Sequence, residues 1–522
     1  MFNYLPCELF STEKGRYIFD AKKVVFLEVD QPTFDVLKIL REERRTLRRL
    51  VASLPQHSPL DVWAAFEEIR GLQKKGFLKP SPFVRDMSFD RAKFEHVLSK
   101  AMTGFTVYVT THCNLACSYC IYGGDYGRYP EFVRTNMTWK TAKAMAEFLA
   151  EHSRESRAVR LDFFGGEPLL AFDLIKKSLD YLKSRVGPRG TEVQATIASN
   201  GTIMTKEILD FLRAEGIYLQ FSIDGDREVH DSRRRFRGSG RGSFNRVLKN
   251  LEFVHEHAPD YFEQFVRVKC VITLDTLDRS DDPTFGHPLL RALNDKGFLS
   301  LVIQEPHYDA GLDSAYFREI QRVGEKLLAG RGLKTLDGLL AHLTSRERSF
   351  FEMTFGLFYD VQAVNKLYFG TSRKIPFTKG CLMGSGDGAV DPNGDIRICH
   401  KATSFVIGNV NEGKWDFDRI WELYSRLYDG GSECASCFVQ KFCELCFEKL
   451  DGGDWDHSHR QFCDFTRRQY ALCFGLFLRI LERNPRLWRD LDRIVGLRMK
   501  QKIEDLKWSA EKAVGKTRGR TR

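Results

Sequence analysis

Long apolar runs are missing from this 522-residue sequence. Its longest apolar stretches, such as ALCFGLFL (471–478), are far shorter than the roughly 20 residues that a helix needs to cross a bilayer. The N-terminal segment MFNYLPCELFSTEKGR has no basic stretch followed by an apolar one, which a secretory signal requires. These absences predict a cytoplasmic protein without a membrane partner.

Internal repeats, low-complexity segments and a strong basic patch are also lacking. The formal net charge is +10, but the basic residues are spread widely and concentrate only in RRRFRGSGRG (233–242) and in the tail KTRGRTR. Short charged runs of this kind are typical of solvated surface. The sequence therefore predicts no nucleic-acid partner.

Cysteine, in contrast, is abundant, with thirteen residues. In a cytoplasmic chain, clustered cysteines indicate metal sites rather than disulfides. Cys7, Cys270 and Cys473 stand apart from the others and are predicted to be packing residues. The other ten fall within residues 113–120 and 381–463, which predicts two metal-binding regions.

Residues 1–85 predict a small α/β unit. Two strand-like runs, GRYIFD and KVVFLEVD, precede two helical patterns, the second of which has Ser58 as a cap and Pro59 in its first turn. Two strands followed by helices and a terminal strand resemble a winged-helix module. Residues 86–102 are predicted to be a linker.

From residue 103 onwards, six predicted strands alternate with helices, which indicates a parallel α/β barrel or sheet over 103–312. The strands end in THCN, GGEP, SNG, SIDG and QEP, and chemistry in such folds gathers at the carboxyl ends of strands. Residues 313–375 are predicted to be mostly helical. Residues 376–470 predict a cysteine-rich domain stapled by metal, and 471–522 a helix with a basic tail.

The first cysteine region, Cys113-x3-Cys117-x2-Cys120, follows the first predicted barrel strand. Thiolates select soft metals and iron–sulfur clusters. Three thiolates on a four-iron cubane would leave one iron open to a substrate or cofactor. The alternative is a zinc site that His112 or a distant residue completes.

This cysteine spacing, with Tyr119 before the last cysteine and GGEP after the second strand, resembles the radical S-adenosylmethionine (SAM) superfamily. The resemblance implies a partial (β/α)6 TIM-like barrel and a [4Fe–4S] cluster on Cys113, Cys117 and Cys120. It also implies that SAM binds the open iron and is cleaved on reduction to a 5′-deoxyadenosyl radical, which abstracts hydrogen from a substrate.

The same resemblance implies the residues that contact SAM. The GGE motif would hold the methionine amino group, and SNG and SIDG would lie near the ribose and methionine. The segment HDSRRRFRGSGRGSF (230–244) is similar to the family's loop after strand four, in which Arg234, flanked by Arg233 and Arg235, would bind the carboxylate. The implied SAM contacts are Tyr119, Gly165, Gly166, Glu167, Ser199, Asn200, Ser222, Asp224 and Arg234.

The second cysteine region is similar to the SPASM domain, a C-terminal extension of radical SAM enzymes that carries two auxiliary [4Fe–4S] clusters. Its last cysteine pair is one residue closer than the usual family spacing, and a two-zinc module is the alternative. The resemblance assigns one cluster to Cys434, Cys437, Cys443 and Cys463. It assigns the other to Cys381, Cys399 and Cys446, which leaves that cluster one ligand short.

The missing ligand implies an open iron that could bind a peptide cysteine thiolate. His400 directly follows Cys399, where relatives that oxidise serine or cysteine carry an aspartate base. Histidine changes charge near neutral pH, so His400 is a candidate catalytic base. A hydrogen-bond donor beside the cluster is the alternative role.

The N-terminal module resembles the recognition element of enzymes that modify ribosomally made peptides, in which a leader peptide adds as a strand to the sheet edge. Together the three regions imply a peptide maturase with SAM, three [4Fe–4S] clusters, a precursor peptide bound at 1–85, and a flavodoxin, ferredoxin or reductase as electron donor. A cysteine-derived thioether cross-link is the predicted product. The alternatives are carbon–carbon cross-linking, epimerisation, action on a protein side chain or small molecule, and an electron carrier.

Overall fold

The computed structural model describes residues 5–80, 91–120, 134–272, 287–295, 299–303, 310–329, 347 and 388–483, except 44, 429–433, 435, 444 and 452–453. Cys381, most of the predicted helical region 313–375, residues 86–90 of the predicted linker and the basic tail lie outside them. No helix within the described ranges has the length and apolar character needed to span a bilayer.

The N-terminal unit is an antiparallel sheet followed by three helices. Its elements are β1 (Cys7–Ser11), β2 (Arg16–Asp20), β3 (Val25–Val29), α1 (Gln31–Glu42), α2 (Leu47–Ser53) and α3 (Pro59–Lys74), with strand order β1-β2-β3. The first strand was missed by the sequence analysis because CELFS is short and mixes polar with apolar residues. The predicted terminal strand is not found after α3 in the described part of the unit.

Side-chain caps fix where the helices of this unit begin. Asp30 Oδ1 accepts from Thr33 N at 2.8 Å at the start of α1. Ser58 and Asp61 form a reciprocal capping box at the start of α3, directly before Pro59. The predicted cap at Ser58 and the proline in the first turn are therefore confirmed.

The barrel region contains the alternating strands and helices that the sequence predicts. In chain order they are α4 (Arg91–Lys100), β4 (Gly104–Thr110), β5 (Leu115–Cys117), α5 (Trp139–His152), β6 (Ala158–Gly165), α6 (Phe172–Val186), β7 (Glu192–Ser199), α7 (Lys206–Glu215), β8 (Tyr218–Ser222), α8 (Arg227–Arg233), β9 (Arg234–Phe236), α9 (Phe244–His257), α10 (Pro259–Phe265), β10 (Val266–Ile272), α11 (Pro288–Asp295), β11 (Leu299–Ile303) and α12 (Ala310–Ala329).

Six of these strands form a parallel sheet in the order β11-β10-β8-β7-β6-β4, with each strand next to its neighbour in the chain. Successive side chains alternate between its two faces. Phe105, Val107 and Val109 of β4 pack outward against the helices, whereas Tyr108 faces inward. The arrangement is the predicted partial (β/α)6 barrel, and the described strands do not close it.

The predicted linker contains a helix instead of an extended segment. Phe94 and Leu98 of α4 are buried in the barrel core. Apolar residues four positions apart favour a helix that packs on one face. Residues 91–100 therefore belong to the body of the barrel.

The C-terminal region extends the barrel sheet. Its elements are β12 (Ala389–Val390), β13 (Asp395–Cys399), β14 (Ala402–Asn409), β15 (Lys414–Trp415), α13 (Phe417–Tyr428), α14 (Phe447–Leu450) and α15 (Trp455–Arg483). The strand β12 pairs in parallel with β4, and β13 to β15 continue the sheet in antiparallel fashion. The predicted cysteine-rich domain over 376–470 therefore contains these strands and α13, and the last helix begins at 455 rather than 471.

The N-terminal sheet lies between two hydrophobic cores. One face packs on α1 to α3 through Ile18. The other packs on the C-terminal helix α15, where the ring centroids of Phe19 and Phe474 are 4.8 Å apart. Phe442, which directly precedes Cys443, joins the second core. The N-terminal unit therefore packs against the segment that holds the second cysteine region.

Candidate functional site

The first cysteine loop is held by the loop that follows β8. In the two-stranded sheet formed by β5 and β9, Cys117 is the register partner of Arg234. Ser118 N donates to Arg233 O at 3.1 Å. Both loops leave the same edge of the parallel sheet, which brings residues more than 100 positions apart into contact. The structure thus joins the cysteine motif to the arginine-rich segment.

The two glycines of GGEP allow the second strand to approach this cysteine loop. Gly165 has a φ of +118°, and a Cβ on Gly166 would lie 2.0 Å from the carbonyl oxygen of His112. The backbone nitrogen of Gly166 donates to Thr110 O at 2.9 Å, and that of Glu167 to His112 O at 2.8 Å. Residues with a side chain cannot make this approach without displacing the loop.

Glu167 is fully buried beneath the loop and joins two strand ends. Its Oε1 accepts from Leu169 N at 3.1 Å and from Ser199 Oγ at 2.9 Å, and its Oε2 accepts from Asn200 N at 2.7 Å. Burial raises the pKa of Glu167 to about 7, although these hydrogen bonds oppose the rise. In the structure the carboxyl group positions SNG against GGEP, and its predicted contact with the methionine amino group stays a prediction.

Asn200 links the strand end to a cysteine. Its Nδ2 donates to Asn114 Oδ1 at 2.8 Å and lies 3.6 Å from Cys113 Sγ. Asn114 Nδ2 in turn donates to Thr202 Oγ1 at 2.8 Å. Asn114 and Thr202 are not evident from the sequence, because polar residues in loops have no periodicity that distinguishes them from ordinary turn residues.

A buried ion pair lies on the other side of the loop. Arg234 Nε donates to Asp224 Oδ2 at 2.5 Å, and Val271 N donates to Asp224 Oδ1 at 2.9 Å. The Tyr119 hydroxyl also donates to Asp224, and its ring centroid is 5.3 Å from the Arg234 guanidinium. Burial alone would raise the pKa of Asp224, but Arg234 and Tyr119 hold it below its usual value.

This pairing changes what Arg234 is available to do. The sequence analysis expected its guanidinium to bind a carboxylate of SAM, whereas in the structure it pairs with Asp224 and is 7% exposed. Ser222, the remaining predicted contact, lies at the end of β8 opposite Lys269. The other predicted SAM contacts lie around the same edge of the barrel.

The thiols of the first loop are suited to a shared cluster. Burial raises the pKa of Cys117 to about 12, and the neighbouring Cys120 and Cys113 add to the rise. The backbone N–H of Leu115 lies 3.4 Å from Cys113 Sγ. Thiols so close together favour a common cation, which would bind their deprotonated forms.

The cysteines of both regions are free thiols in the ranges that the structure describes. No three His, Cys, Asp or Glu side chains in those ranges converge tightly enough to hold one metal ion. The assignment of these cysteines to iron–sulfur clusters rather than to zinc rests on the family resemblance.

Four cysteines of the second region line one cavity, and their assignment to one auxiliary cluster stays a prediction. The cavity wall also includes Leu427, Phe462 and Arg467. Burial raises the pKa of Cys443 to about 12, with contributions from the three other thiols. The cysteines of this group are Cys434, Cys437, Cys443 and Cys463.

The described ligands of the other predicted auxiliary cluster lie beside one lysine. Burial lowers the pKa of Lys401, the carboxylate of Glu448 raises it, and Cys399 and Cys446 add to that rise. Lys401 N donates to Cys399 Sγ at 3.4 Å. The third predicted ligand, Cys381, lies outside the described residues, so the set of three stays a prediction.

His400 lies above the barrel interior. The hydroxyl of Tyr108 donates to its carbonyl oxygen, and its ring centroid is 5.8 Å from that of Phe164. Burial lowers the pKa of His400 to about 4, and the positive charges of Lys401 and Lys269 add to this. The imidazole is therefore neutral at pH 7 and a weaker base than an exposed histidine.

Comparison with known proteins gives a family for the barrel. Residues 107–273 match the model of the radical SAM superfamily. This range contains the first cysteine loop, GGEP, SNG, SIDG and the arginine-rich segment.

Three similar proteins cover different shares of the chain. A radical SAM cyclopropyl synthase, TigE, of Paramaledivibacter caminithermalis is 22% identical over 89% of this chain and 92% of its own length. An AdoMet-dependent heme synthase of Methanosarcina barkeri is 32% identical over 68% of this chain and 93% of its own length. A serine-type anaerobic sulfatase-maturating enzyme of Klebsiella aerogenes is 27% identical, and that match covers 28% of this chain and only 36% of the relative.

Proposed function

Since the chain belongs to the radical SAM superfamily, whose members bind SAM and a [4Fe–4S] cluster, we propose that it is an enzyme that modifies a ribosomally made precursor peptide. The observation that carries this proposal is the convergence of the first cysteine loop with Gly166, Asn200 and Asp224 at the carboxyl edge of the barrel. When bound at Cys113 and its two partners, the cluster would supply the electron that cleaves SAM to a 5′-deoxyadenosyl radical.

The chain's own groups would hold the reacting molecules in a dry, ordered site. Glu167 and Asn200 fix the loop backbone beside Cys113, and the Asp224–Arg234 pair fixes the opposite wall next to Cys117. Buried groups that are already hydrogen-bonded need no reorganisation when a charged ligand enters. Such preorganisation suits a reactive radical that must meet substrate before solvent.

The N-terminal unit supports a peptide substrate. The strand β3 lies at the edge of its sheet and pairs only with β2 among the strands that the structure describes. On α3, which shares a core with β3, Leu60 is 70% exposed and Trp63 is 50% exposed. An extended peptide can add to an open strand edge, and Leu60 and Trp63 give the same unit exposed apolar side chains. The name of the sulfatase-maturating relative also gives a protein as its substrate.

The proposed product is a cysteine-derived thioether cross-link. Its support is the three-cysteine set assigned to one auxiliary cluster, of which Cys399 and Cys446 lie near His400 and the barrel interior. A substrate thiolate would complete that set of ligands. In this scheme His400, which is neutral at pH 7 because burial lowers its pKa, is a candidate proton acceptor.

A small-molecule substrate is the second candidate. The heme synthase relative is 32% identical and favours it. That match leaves about a third of this chain without a counterpart, whereas the match to the cyclopropyl synthase covers 89% of it. The open edge of β3 and exposed Trp63 have no evident use in such an enzyme, so we prefer the peptide.

Anaerobic reconstitution tests the general proposal. The protein should bind about twelve irons if three [4Fe–4S] clusters form, and with dithionite and SAM it should release 5′-deoxyadenosine. Zinc in place of iron, or intact SAM under reducing conditions, would contradict the radical reaction.

Peptide binding is tested most directly at the exposed face of α3. The probe is a synthetic copy of a short cysteine-containing reading frame beside the gene. Trp63→Ala should weaken its binding about tenfold or more, whereas Trp139→Ala, which removes an equally large ring that is 41% exposed on the barrel, should not. Equal affinity of Trp63→Ala and wild type would refute the recognition element.

Mass spectrometry of that peptide after the reaction tests whether a cross-link forms and which atoms it joins. A cross-link removes two hydrogen atoms, whereas epimerisation leaves the mass unchanged. Fragmentation that retains a free cysteine would refute the thioether in favour of a carbon–carbon link.

A further inference from the structure

One lysine at the mouth of the barrel has no role in the proposed reaction. On β10, Val268 and Cys270 are buried in hydrophobic cores outside the barrel, at 0% and 1% exposure. Because side chains alternate along a strand, Lys269 between them faces the interior. Its register partner is Ser222 at the end of β8. The pattern VRVKCVI would have revealed this inward position, but the sequence analysis assigned it no function.

The surroundings of Lys269 are positively charged. Burial lowers its pKa, the charges of Lys401 and Arg234 lower it further, and the carboxylate of Glu448 opposes this shift. These two cations have partners of their own, Glu448 at 3.2 Å and Asp224 at 2.5 Å. Within the ranges that the structure describes, no carboxylate lies at ion-pair distance from Lys269.

We propose that Lys269 anchors a carboxylate-binding site at the mouth of the barrel. Burying an ammonium group without a counter-ion costs free energy. A carboxylate that enters between β10 and the β13–β14 turn would form a charge-assisted hydrogen bond with Lys269 and offset this cost. Arg234 pairs with Asp224 and Lys401 pairs with Glu448, whereas Lys269 has no carboxylate at ion-pair distance among the residues that the structure describes.

Two molecules that would bind in this site carry a carboxylate. One is SAM, through the carboxylate of its methionine part. The other is the substrate, through an aspartate or glutamate side chain, and this second source rests on the proposed function. Both would place a carboxylate on the same ammonium group. The two sources are distinguished by measuring the binding of SAM and of the acidic probe separately.

The SAM source is tested on the iron-loaded protein without reductant. Lys269→Met keeps the length of the side chain and removes its charge. It should weaken SAM binding about tenfold or more, the effect of one charged hydrogen bond, and leave the affinity for decarboxylated SAM unchanged. Equal losses for both ligands would point to general damage and overturn a carboxylate contact.

The substrate source is tested with the SAM pocket filled by S-adenosylhomocysteine. The probe is N-acetylglutamate methylamide, with the neutral N-acetylglutamine methylamide as its match. Wild type should bind the acidic probe at least tenfold more tightly, and Lys269→Met should lose that preference while its affinity for SAM stays intact.

Matched variants complete the test. Lys269→Arg should keep most of the carboxylate affinity, and Lys140→Met, which removes an exposed lysine from α5, should behave as wild type. If Lys269→Met fails to load iron, Lys269→Gln replaces it. Unchanged affinity for both SAM and the acidic probe overturns the site. Because binding is measured, a wrong assignment of the reaction does not change these outcomes.

Discussion

The two cysteine regions are held in place by different parts of the fold. The loop of Cys113 is held by the ends of neighbouring barrel strands, through Glu167, Asn200 and the segment of Arg234. The cavity of Cys443 and Cys463 instead lies between α13, the segment 434–445 and α15, a helix that also packs on the N-terminal sheet. The first site is therefore a property of the barrel, whereas the second depends on contacts from both ends of the chain.

The largest expected effect comes from removing the ligands of each region in turn. Changing Cys113, Cys117 and Cys120 to Ala should reduce SAM cleavage at least a thousandfold, about 4 kcal/mol in the barrier, and leave about eight irons. Changing Cys434, Cys437 and Cys443 to Ala should keep SAM cleavage within a few-fold of wild type and abolish the peptide product. Release of 5′-deoxyadenosine and iron content measure both. Loss of SAM cleavage in the second variant would show that the two sites are not separate.

The ion pair behind the first site comes next in size. Arg234→Met leaves the fully buried carboxyl of Asp224 without its partner, which costs about 3–5 kcal/mol. The thermal midpoint should fall by several degrees, and the first cluster should load less iron than the auxiliary ones. Arg235→Met, an exposed neighbour on β9, is the control. Adding Asp224→Asn to Arg234→Met should restore part of the loss, and no restoration would argue against the pair.

The contact between the N-terminal sheet and α15 tests whether the second cysteine region depends on the N-terminal unit. The ring of Phe474 packs against Phe10, Phe19 and Phe26 at centroid distances of 4.8–6.1 Å. Phe474→Leu should cost about 1–3 kcal/mol through lost aromatic contacts and should also reduce iron in the auxiliary clusters. The same change at Phe172, which pairs with Phe211 on the barrel, should leave auxiliary iron unchanged. Equal iron content in the two variants would show that cluster loading in the second region does not depend on the contact with the N-terminal unit.

This contact also affects the interpretation of truncations. Deleting residues 1–85 would expose Phe474 and its neighbours to solvent, so lost peptide binding could reflect a damaged C-terminal region. Trp63→Ala leaves that core intact, because Trp63 lies on α3 and is half exposed. The point substitution is therefore the cleaner test of recognition.

The sequence predicted the barrel and its first site because both follow from local patterns. Alternating strands and helices indicate a parallel sheet, and turns after its strands meet at one edge. The capped helix at Ser58 was likewise readable, since a capping residue before proline is a local signal. Each strand, helix and cap in these features is indicated by residues that are close together in the sequence.

The features that the sequence did not reveal depend on long-range contacts. The carboxylate that pairs with Arg234 also accepts from Tyr119 and Val271, which come from distant parts of the chain. The strand β12 joins the barrel at β4 across more than 270 residues of sequence, and two residues are too few to give a strand pattern. The position of α15 is set by Phe19 near the other end of the chain. Local periodicity carries no information about such partners.

The smallest expected effect concerns how the first site changes with pH. Burial raises the pKa of Glu167 from 4.5 to about 7, so the folded protein holds this proton more tightly than the unfolded chain. The resulting stability is fully present below about pH 4.5 and is lost as the pH rises through about 7. Glu167→Gln does not titrate, so the wild type should lose about 1–2 kcal/mol relative to it between pH 6 and pH 8.

Thermal midpoints of the two proteins, measured anaerobically across this range, check the sign. At pH 6 the variant should be the less stable, because its amide NH2 would face the backbone N–H of Asn200, which now donates to Glu167 at 2.7 Å. Glu192→Gln, an exposed change on β7, should show no such trend. If Glu167 meets the methionine ammonium group as predicted, SAM favours its charged form and should flatten the wild-type pH dependence. If SAM does not change the pH dependence of the wild-type stability, Glu167 only holds SNG against GGEP. The amino group of SAM would then have to bind elsewhere at the barrel edge.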